Sequence, residues 1–290
     1  MRRRHWIQAW LLLTPAFVFL VTFTHWPALK TFWNSFFSTP RGRRPKTFVG
    51  LDNYETLIQD PIFWKVLGNN VIYALVTIPV SIAIAIAMAL WVNRQMPGRG
   101  FARMSYFTPT VLPMIAVANI WLFFYTPGFG LIDQITGAFG FGHSNILGSP
   151  ETALWGVIVV AVWKEAGFFM IFYLAALQSI PPSLTEAAEV EGASRWIIFR
   201  RITLPLLMPT TLFVAINAVV NAFRMIDHIF ILTGGGPDNA SSLLLFYIYE
   251  TAFRFWDTAY AATLTVVLLA LLAVLAIGQF FLFDRKVHYK

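Results

Sequence analysis

Residues 183–209 read SLTEAAEVEGASRWIIFRRITLPLLMP, and this charged stretch between two apolar runs decides the fold. Ser183 followed by Glu186 matches a capping box, so a short helix is predicted to begin at Ser183. Gly192 interrupts that helix, because a residue without a Cβ supplies a backbone turn at little cost. Ser194 suits the N-cap of a second helix. The stretch therefore predicts a bent pair of short helices.

The composition is that of an integral membrane protein. Hydrophobic residues make up 58% of the 290 residues and charged residues 12%, against roughly 25% charged in soluble proteins. Basic residues lie at the ends of apolar runs, as the positive-inside rule would place them, so the net charge of +7 does not indicate nucleic-acid binding. The chain has no cysteine, which excludes disulfides, thiol catalysis and Cys-based zinc sites.

Six apolar runs predict an all-α polytopic membrane bundle of six transmembrane helices, since about 20 apolar residues cross the hydrocarbon core. They lie at about residues 6–27, 71–92, 104–125, 152–177, 204–227 and 258–283. We expect two parts, namely 1–68 with the first span and an external amphipathic segment, and 69–290 with a five-span core. The segment 178–203 is expected in the cytoplasm. The inner connections are richer in Lys and Arg, which predicts that both termini are cytoplasmic.

Polar side chains inside the predicted spans are candidates for a solute path, because a charge at the bilayer centre costs about 2.5–3.5 kcal/mol. The fifth span carries a polar stripe at spacings that fall on one helical face. Its members are Asn217, Asn221, Arg224 and His228. Asn pairs with hydroxyls and Arg with anionic or polyhydroxyl groups. Asp227 lies off the stripe, in reach of Arg224. The alternative is that these side chains bond neighbouring helices.

The fourth span contains Lys164 and Glu165 near mid-depth, preceded by Trp163. Adjacent helical residues point about 100° apart, so each charge needs a partner elsewhere. Trp163 is a candidate to stack on a sugar ring, with ordinary packing as the alternative, and Asn119 in the third span has a similar standing. No catalytic arrangement or metal-ligand spacing stands out, so neither a catalytic residue nor a metal site is predicted.

The charged stretch also resembles a known motif. Glu186-Ala187-Ala188, Gly192-Ala193, Phe199, Leu204-Pro205 and Pro209 stand at the spacing of the EAA loop of ATP-binding-cassette (ABC) importer permeases. Glu191 replaces the commoner Asp before the glycine and keeps its charge. The stretches LLLTPAF, FVGLDNYETL, LAALQSIPPSLTEAA and ILTGGGPDNAS resemble the sugar and glycerol-phosphate branch of these permeases.

The resemblance implies a permease subunit of an ATP-driven, binding-protein-dependent importer of a sugar, sugar derivative, polyol or glycerol-phosphate-like solute. It implies a bacterial cytoplasmic membrane, a second homologous permease, two ATPase subunits and a periplasmic or lipid-anchored solute-binding protein. The sequence has no G-x-x-x-x-G-K-S/T phosphate loop. We therefore expect no enzyme activity and no cofactor on this chain, with ATP and Mg on the partner ATPase.

The resemblance and the polar pattern together give three sets of candidate residues. The ATPase-coupling set is Glu186, Ala187, Ala188, Glu189, Glu191, Gly192 and Arg195. The solute-path set is Asn119, Trp163, Lys164, Glu165, Asn217, Asn221, Arg224 and Asp227. The set facing the solute-binding protein is Thr233, Gly234, Gly235, Gly236 and Pro237.

A secondary transporter is the alternative reading of the same polar residues. In that class Asp227, Glu165 and Lys164 would be ion-coupling groups, and transport would follow the proton or sodium gradient. No internal repeat of the kind found in many secondary transporters is evident, which disfavours this class. An intramembrane enzyme has no catalytic arrangement to support it.

Overall fold

The computed structural model describes residues 2–40, 42, 44–140 and 145–284. Its regular structure is helical, and an isolated antiparallel bridge joins Phe37 and Phe48. The predicted all-α class is confirmed. In chain order the helices are α1 (Arg2–Leu20), α2 (Trp26–Asn34), α3 (Asp52–Gln59), α4 (Pro61–Asn93), α5 (Arg99–Val111), α6 (Met114–Phe124), α7 (Leu131–Ala138), α8 (Ala153–Ser179), α9 (Pro182–Val190), α10 (Arg195–Ile198), α11 (Leu204–Leu206), α12 (Met208–Arg224), α13 (Asp227–Leu232), α14 (Leu244–Tyr249) and α15 (Thr258–Asp284).

The membrane spans are of two kinds. Within the described ranges, four continuous helical runs are long and apolar enough to cross a bilayer, at Ala9–Asn34, Pro61–Asn93, Ala153–Ser179 and Thr258–Gln279. Two further spans are bent pairs, α5 with α6 and Arg195–Leu206 with α12. Counting each pair once gives the six predicted spans.

The chain forms two compact units, the first made of residues 1–63 and 248–271. In this unit the Asn53 amide donates to the carbonyls of Ser35 and Phe37 at 2.7 and 2.8 Å. The Thr39 hydroxyl donates to Asp257 and accepts the backbone N–H of Ala259. These bonds explain why residues 248–271 belong to this unit, although chain order alone groups them with the later spans.

The second unit consists of residues 64–247 and 272–290. Its apolar core is formed by α4, α8 and the 207–218 region, with the large side chains of Phe169, Met170 and Tyr173 almost fully buried. Small residues on the facing helices, including Ala89 and Ala218, are also buried. Small side chains let membrane helices approach closely, so packing holds these spans together.

Helix α4 begins at Pro61, ten residues before the apolar run that predicted the second span. The Asp60 carboxylate accepts the backbone N–H of Ile62 at 2.8 Å, and Pro61 occupies the first helical position. An acidic N-cap followed by proline is a strong helix start. The helix has 33 residues, about 50 Å at 1.5 Å per residue, which is longer than the hydrocarbon core is thick.

The third span, predicted as one helix over 104–125, is broken. Helices α5 and α6 meet at an angle of 103°. Leu112 is extended, with ψ 137°, immediately before Pro113. A residue that precedes proline is driven away from the helical region, and proline lacks an N–H, so the chain turns here.

The fifth span, predicted as one helix over 204–227, is also interrupted. It bends by 64° at Leu207, between Pro205 and Pro209, and α12 ends at Arg224. Met225 is extended, with ψ 119°. A new helix, α13, then begins at Asp227 and packs against α6 and α8. The prediction that the four stripe residues share one helical face is therefore wrong for His228.

Candidate functional site

The first half of the coupling segment is α9, which ends in a glycine-based cap. Gly192 has φ +80°, and its N–H donates to the Glu189 carbonyl at 3.0 Å. The next N–H, from Ala193, donates to the Ala188 carbonyl at 2.9 Å. This pair of bonds is a Schellman motif. It closes the helix and turns the chain, as the glycine predicted.

The start of α9 differs from the prediction. The helix begins at Pro182, its N-cap is Pro181, and no side chain caps it. The predicted capping box of Ser183 and Glu186 is therefore wrong. Proline fits the first helical position, where its missing N–H has no intrahelical partner, so Pro182 places Ser183 already inside the first turn.

The second half of the segment is capped as predicted. The Ser194 hydroxyl accepts the backbone N–H of Ile197 at 3.4 Å, and α10 then runs into a π-helical turn, Phe199–Thr203. A cavity of about 700 Å³ adjoins this arm and the C-terminal end of α4, lined by residues that include Arg94, Glu189 and Trp196. Within the described chain, the bent pair thus encloses a cleft of mixed polarity.

The coupling segment presents apolar side chains to its surroundings. Val190 is 89% exposed and Trp196 65% exposed, and the carboxylates of Glu186 and Glu191 are exposed beside them. A group of exposed large apolar residues rimmed by charges is typical of a protein interaction surface. The electrostatics and shape of this segment therefore favour contact with another protein.

Lys164 holds the broken third span. Its Nζ donates to the Leu112 carbonyl at 2.5 Å, at the turn between α5 and α6. Pro113 offers no N–H at this turn. A backbone carbonyl at membrane depth needs a hydrogen-bond donor, and the Lys164 side chain supplies one to the Leu112 carbonyl at the break. Sequence reasoning expected Lys164 to need a distant partner but could not name Leu112.

Glu165 is buried in the second unit, with 5% of its surface exposed. Asn221 of α12 lies near its carboxyl group, which brings together two predicted path residues from different spans. Among the described residues, the Oε2 atom of Glu165 has no hydrogen-bond partner. A buried carboxyl oxygen left open in this way is able to bond a hydroxyl or a water.

Two predicted path residues bond their own helices. The amide of Asn119 donates to the Ile115 carbonyl and that of Asn217 to the Phe213 carbonyl, each at 2.8 Å. Both acceptors lie one turn earlier in the same helix. The oxygen of each amide therefore remains the atom that could meet a solute.

Trp163 packs on Trp121, edge to face with ring centroids 5.6 Å apart. It lines an apolar cavity of about 500 Å³ between α4, α5, α6 and α8. The polar cluster of Glu165 and Asn221 does not line that cavity. The geometry of Trp163 is thus that of ordinary packing, which was the alternative to stacking on a sugar ring.

The remaining stripe residues separate at the end of α12. Arg224 and Asp227 are exposed and form no ion pair with each other within the described chain. His228 is fully buried, and its Nε2 lies 3.1 Å from the Tyr73 hydroxyl of α4. Tyr73 had no signal in the sequence, because nothing local marks a tyrosine that bonds a residue 155 positions away.

The glycine-rich segment 233–237 forms a tight loop in the second unit. The Ser241 hydroxyl donates to the Gly236 carbonyl at 2.7 Å, and its oxygen also lies 2.7 Å from the Thr233 hydroxyl. Gly235 has φ +79°, and a Cβ there would lie 2.7 Å from the buried ring of Phe246. A glycine is therefore required at this position by conformation and by space.

The family is decided by comparison with known proteins. Residues 81–289 match the model of the binding-protein-dependent transport system inner membrane component. The chain belongs to this family. It is therefore a membrane permease component of a transport system that depends on a binding protein.

Curated relatives match this permease over most of their lengths. It is 33% identical to the sulfoquinovosyl glycerol transport system permease protein SmoG of Agrobacterium fabrum over 91% of this chain and 86% of that one. It is 32% identical to the trehalose/maltose transport system permease protein MalF of Thermococcus litoralis over 93% of both chains. It is 32% identical to the sn-glycerol-3-phosphate transport system permease protein UgpA of Escherichia coli over 99% and 97%.

A solved structure shares the fold of this permease. A chain of a bacterial ABC transporter involved in the import of the acidic polysaccharide alginate superposes with a TM-score of 0.87. The two chains are 24% identical, and the match covers 99% of this one and 98% of the other. The broken third and fifth spans therefore belong to a fold that occurs in an ABC transporter.

Proposed function

We propose that this permease forms half of the translocation pathway of an ATP-driven importer. A second homologous permease forms the other half, and two separate ATPase subunits hold ATP and Mg. A periplasmic or lipid-anchored binding protein delivers the solute to a chain whose termini are both cytoplasmic. The solute is a sugar, a sugar derivative, a polyol or a glycerol-phosphate-like molecule, the class named for the relatives.

The observation that carries the proposal is the exposed coupling segment. A helix of nine residues, closed by a Schellman cap, is a stiff element, and the apolar side chains of Val190 and Trp196 are exposed. Glu186, Glu189 and Glu191 supply a negative rim that suits a basic cleft on the ATPase. The sharp turn at Gly192 keeps the two arms at a fixed angle, so a displacement of α9 moves α12.

The solute path is proposed along α8 and α12. Glu165 and Asn221 lie close together there, and the open Oε2 of Glu165 is suited to a solute hydroxyl. Asn217, one turn before Asn221, adds a second amide oxygen, and Arg224 suits an anionic group at the end of the helix. Lys164 caps the broken span and Asn119 offers a further amide oxygen beside the path. Trp163 packs on Trp121 in the neighbouring apolar cavity and supports the path from behind. Asp227 lies at its outer end.

The loop Thr233–Pro237 is proposed to face the solute-binding protein. Its backbone is fixed by the Ser241 and Thr233 hydroxyls. A preorganised loop loses less conformational entropy when a partner binds, which suits an element that receives a delivery protein.

A pull-down tests the assembly. The full chain is isolated from its native membrane in mild detergent through an affinity tag, and the bound proteins are identified. We expect a second permease and an ATPase, with ATP hydrolysis in the eluate. A chain that elutes alone or as a homo-oligomer without ATPase activity would contradict the proposal.

An uptake assay tests the solute class. Cells that lack the native gene are compared with complemented cells for uptake of radiolabelled lactose, trehalose and sn-glycerol 3-phosphate. We expect uptake of at least one of them to require the chain and to stop when ATP is depleted. Uptake that persists without ATP and stops when the proton or sodium gradient is collapsed would instead support the secondary transporter.

A further inference from the structure

Helix α4 carries two adjacent asparagines whose side chains bond distant backbone groups. Asn70 is fully buried; its Nδ2 donates to the Ala222 carbonyl at 3.2 Å, and its Oδ1 accepts the Leu244 N–H at 3.0 Å. Asn69 donates to the carbonyls of Asn239 and Ser242 at 2.8 and 3.0 Å. All four partners lie more than 150 residues along the chain.

The one acceptor and the one donor that Asn70 bonds lie at the ends of two helices. Ala222 lies in the last turn of α12, where carbonyls lack an intrahelical donor, and Leu244 is the first residue of α14, where N–H groups lack an acceptor. One amide group therefore caps both. It joins the helix that carries Asn217 and Asn221 to the start of α14.

Asn69 extends this link to the 233–243 loop. Its two acceptor carbonyls lie at the end of that loop, and Lys65, one turn earlier on α4, donates to the Asp238 carbonyl. One turn later, Tyr73 bonds His228 of α13. The contacts repeat every four residues along α4, so one face of this helix supports the chain from the end of α12 to α14.

We infer that Asn70, assisted by Asn69, is a positioning residue that ties the 233–243 loop to the end of the solute-path helix α12. The function of the link rests on the proposed import role. When α12 moves with the coupling segment, the loop moves with it, because the buried Asn70 amide bonds the end of α12 and the first residue after the loop, while Asn69 bonds the loop itself. Delivery at the loop and opening of the path are therefore coupled through Asn70.

Two substitutions at Asn70 separate its two bonds. Asn70→Asp keeps an acceptor for the Leu244 N–H but removes the donor to the Ala222 carbonyl, while Asn70→Leu has similar volume and removes both. Asn53→Asp is the control, since the Asn53 amide likewise bonds two backbone groups, here the carbonyls of Ser35 and Phe37, but within the first unit.

The first readout is hydrogen exchange of the full chain in lipid nanodiscs, which needs no transport activity. The inference predicts at least about tenfold faster exchange at the Leu244 amide in Asn70→Leu, with protection kept in Asn70→Asp. Unchanged exchange in Asn70→Leu would overturn the assignment of the bond. If neither variant inserts, Asn69→Ala is measured over residues 233–243, with faster exchange expected there and unchanged exchange overturning the inference.

The second readout is uptake of the same three labelled solutes, beside ATP hydrolysis of the purified complex. Both Asn70 variants should lower uptake at least about fivefold, with complex assembly and basal ATP hydrolysis retained, and Asn53→Asp should not change the ratio of uptake to hydrolysis. If the wild-type chain takes up a solute and the Asn70 variants lose assembly, hydrolysis and uptake to the same extent, Asn70 has only a structural role. That result would overturn the inference. A wild-type chain that transports none of the three solutes would instead contradict the proposed function, while the exchange result still decides the link.

Discussion

The coupling segment and the polar residues of the spans differ in the distance over which their hydrogen bonds form. In the coupling segment, Ser194 bonds Ile197 and Ala193 bonds Ala188, so each partner lies within five residues. In the spans, Lys164 bonds Leu112, which is 52 residues away, and Asn70 bonds Ala222, which is 152 away. The coupling segment is thus stabilised by hydrogen bonds between near neighbours in the chain, whereas Lys164 and Asn70 bond groups on other helices. The difference teaches that the segment can move as a stiff piece, whereas a change at Lys164 or Asn70 affects two helices.

The largest expected effect is that of Gly192→Val, which acts on the local turn. The backbone there has φ +80°, and the left-handed region costs a residue with a Cβ about 1–2 kcal/mol, more for a β-branched one. We expect the cap to open and uptake to fall at least about tenfold, while membrane insertion and ATP hydrolysis persist. Uptake and hydrolysis are measured together.

The matched control is Gly100→Ala, because Gly100 has no positive φ and nothing lies within 4 Å of the Cβ that it would gain. It should leave uptake unchanged. Retained uptake in Gly192→Val would show that the fixed bend is not needed for coupling.

Two neighbouring glycines separate conformation from packing in the 233–243 loop. Gly234 and Gly235 both have positive φ, but only at Gly235 would a Cβ meet the buried Phe246 ring, at 2.7 Å. Gly235→Ala should therefore be less stable than Gly234→Ala by about 1–3 kcal/mol, the usual cost of overpacking. Thermal unfolding in detergent compares the two, and equal melting temperatures would contradict the packing at Phe246.

Lys164→Met tests a long-range bond. It leaves the Leu112 carbonyl without its donor, at an expected cost of about 1–3 kcal/mol. Lys164→Gln retains an N–H donor and should fall between Met and the wild type in thermal stability. If Met and Gln behave alike, the Lys164 side chain does not support the break at Pro113.

The smallest effect is expected at the local caps. Ser194→Ala removes the N-cap of α10, at about 1 kcal/mol, and should speed hydrogen exchange at the Ile197 amide. Ser183→Ala should change nothing, because α9 has no side-chain cap. If Ser183→Ala has an effect as large as that of Ser194→Ala, Ser183 does cap α9 and the predicted capping box is correct.

These contrasts explain how much the sequence could predict. The six apolar runs, the bend at Gly192 and the Ser194 cap follow from patterns within a few residues, and the structure contains all of them. The capping box does not form because α9 begins at Pro182. A proline is favoured at the first helical position, and Ser183 then lies inside the helix rather than at its N-cap. Pro113 broke the third span for an equally local reason. A proline keeps the residue before it out of the helical region, so the break could have been predicted from the sequence.

The candidate solute path was predictable only in part. The spacing of Asn217 and Asn221 follows from helical periodicity, but the end of α12 at Arg224 removed His228 from their face. The partners of Glu165, Lys164 and His228 come from other helices, and a single sequence holds no signal for pairs so far apart. For that reason Tyr73, Asn69 and Asn70 were not among the predicted residues.

The contact between the coupling segment and the ATPase is the central claim, and photo-crosslinking tests it most directly. A photoreactive side chain replaces Val190, which is 89% exposed, and a second variant carries it at Phe129, which is 76% exposed in the loop predicted to lie outside. Irradiation of intact cells should join the Val190 variant, and not the Phe129 variant, to a protein with an ATP-binding phosphate loop. Capture of such a protein from neither position, or from both equally, would contradict the account.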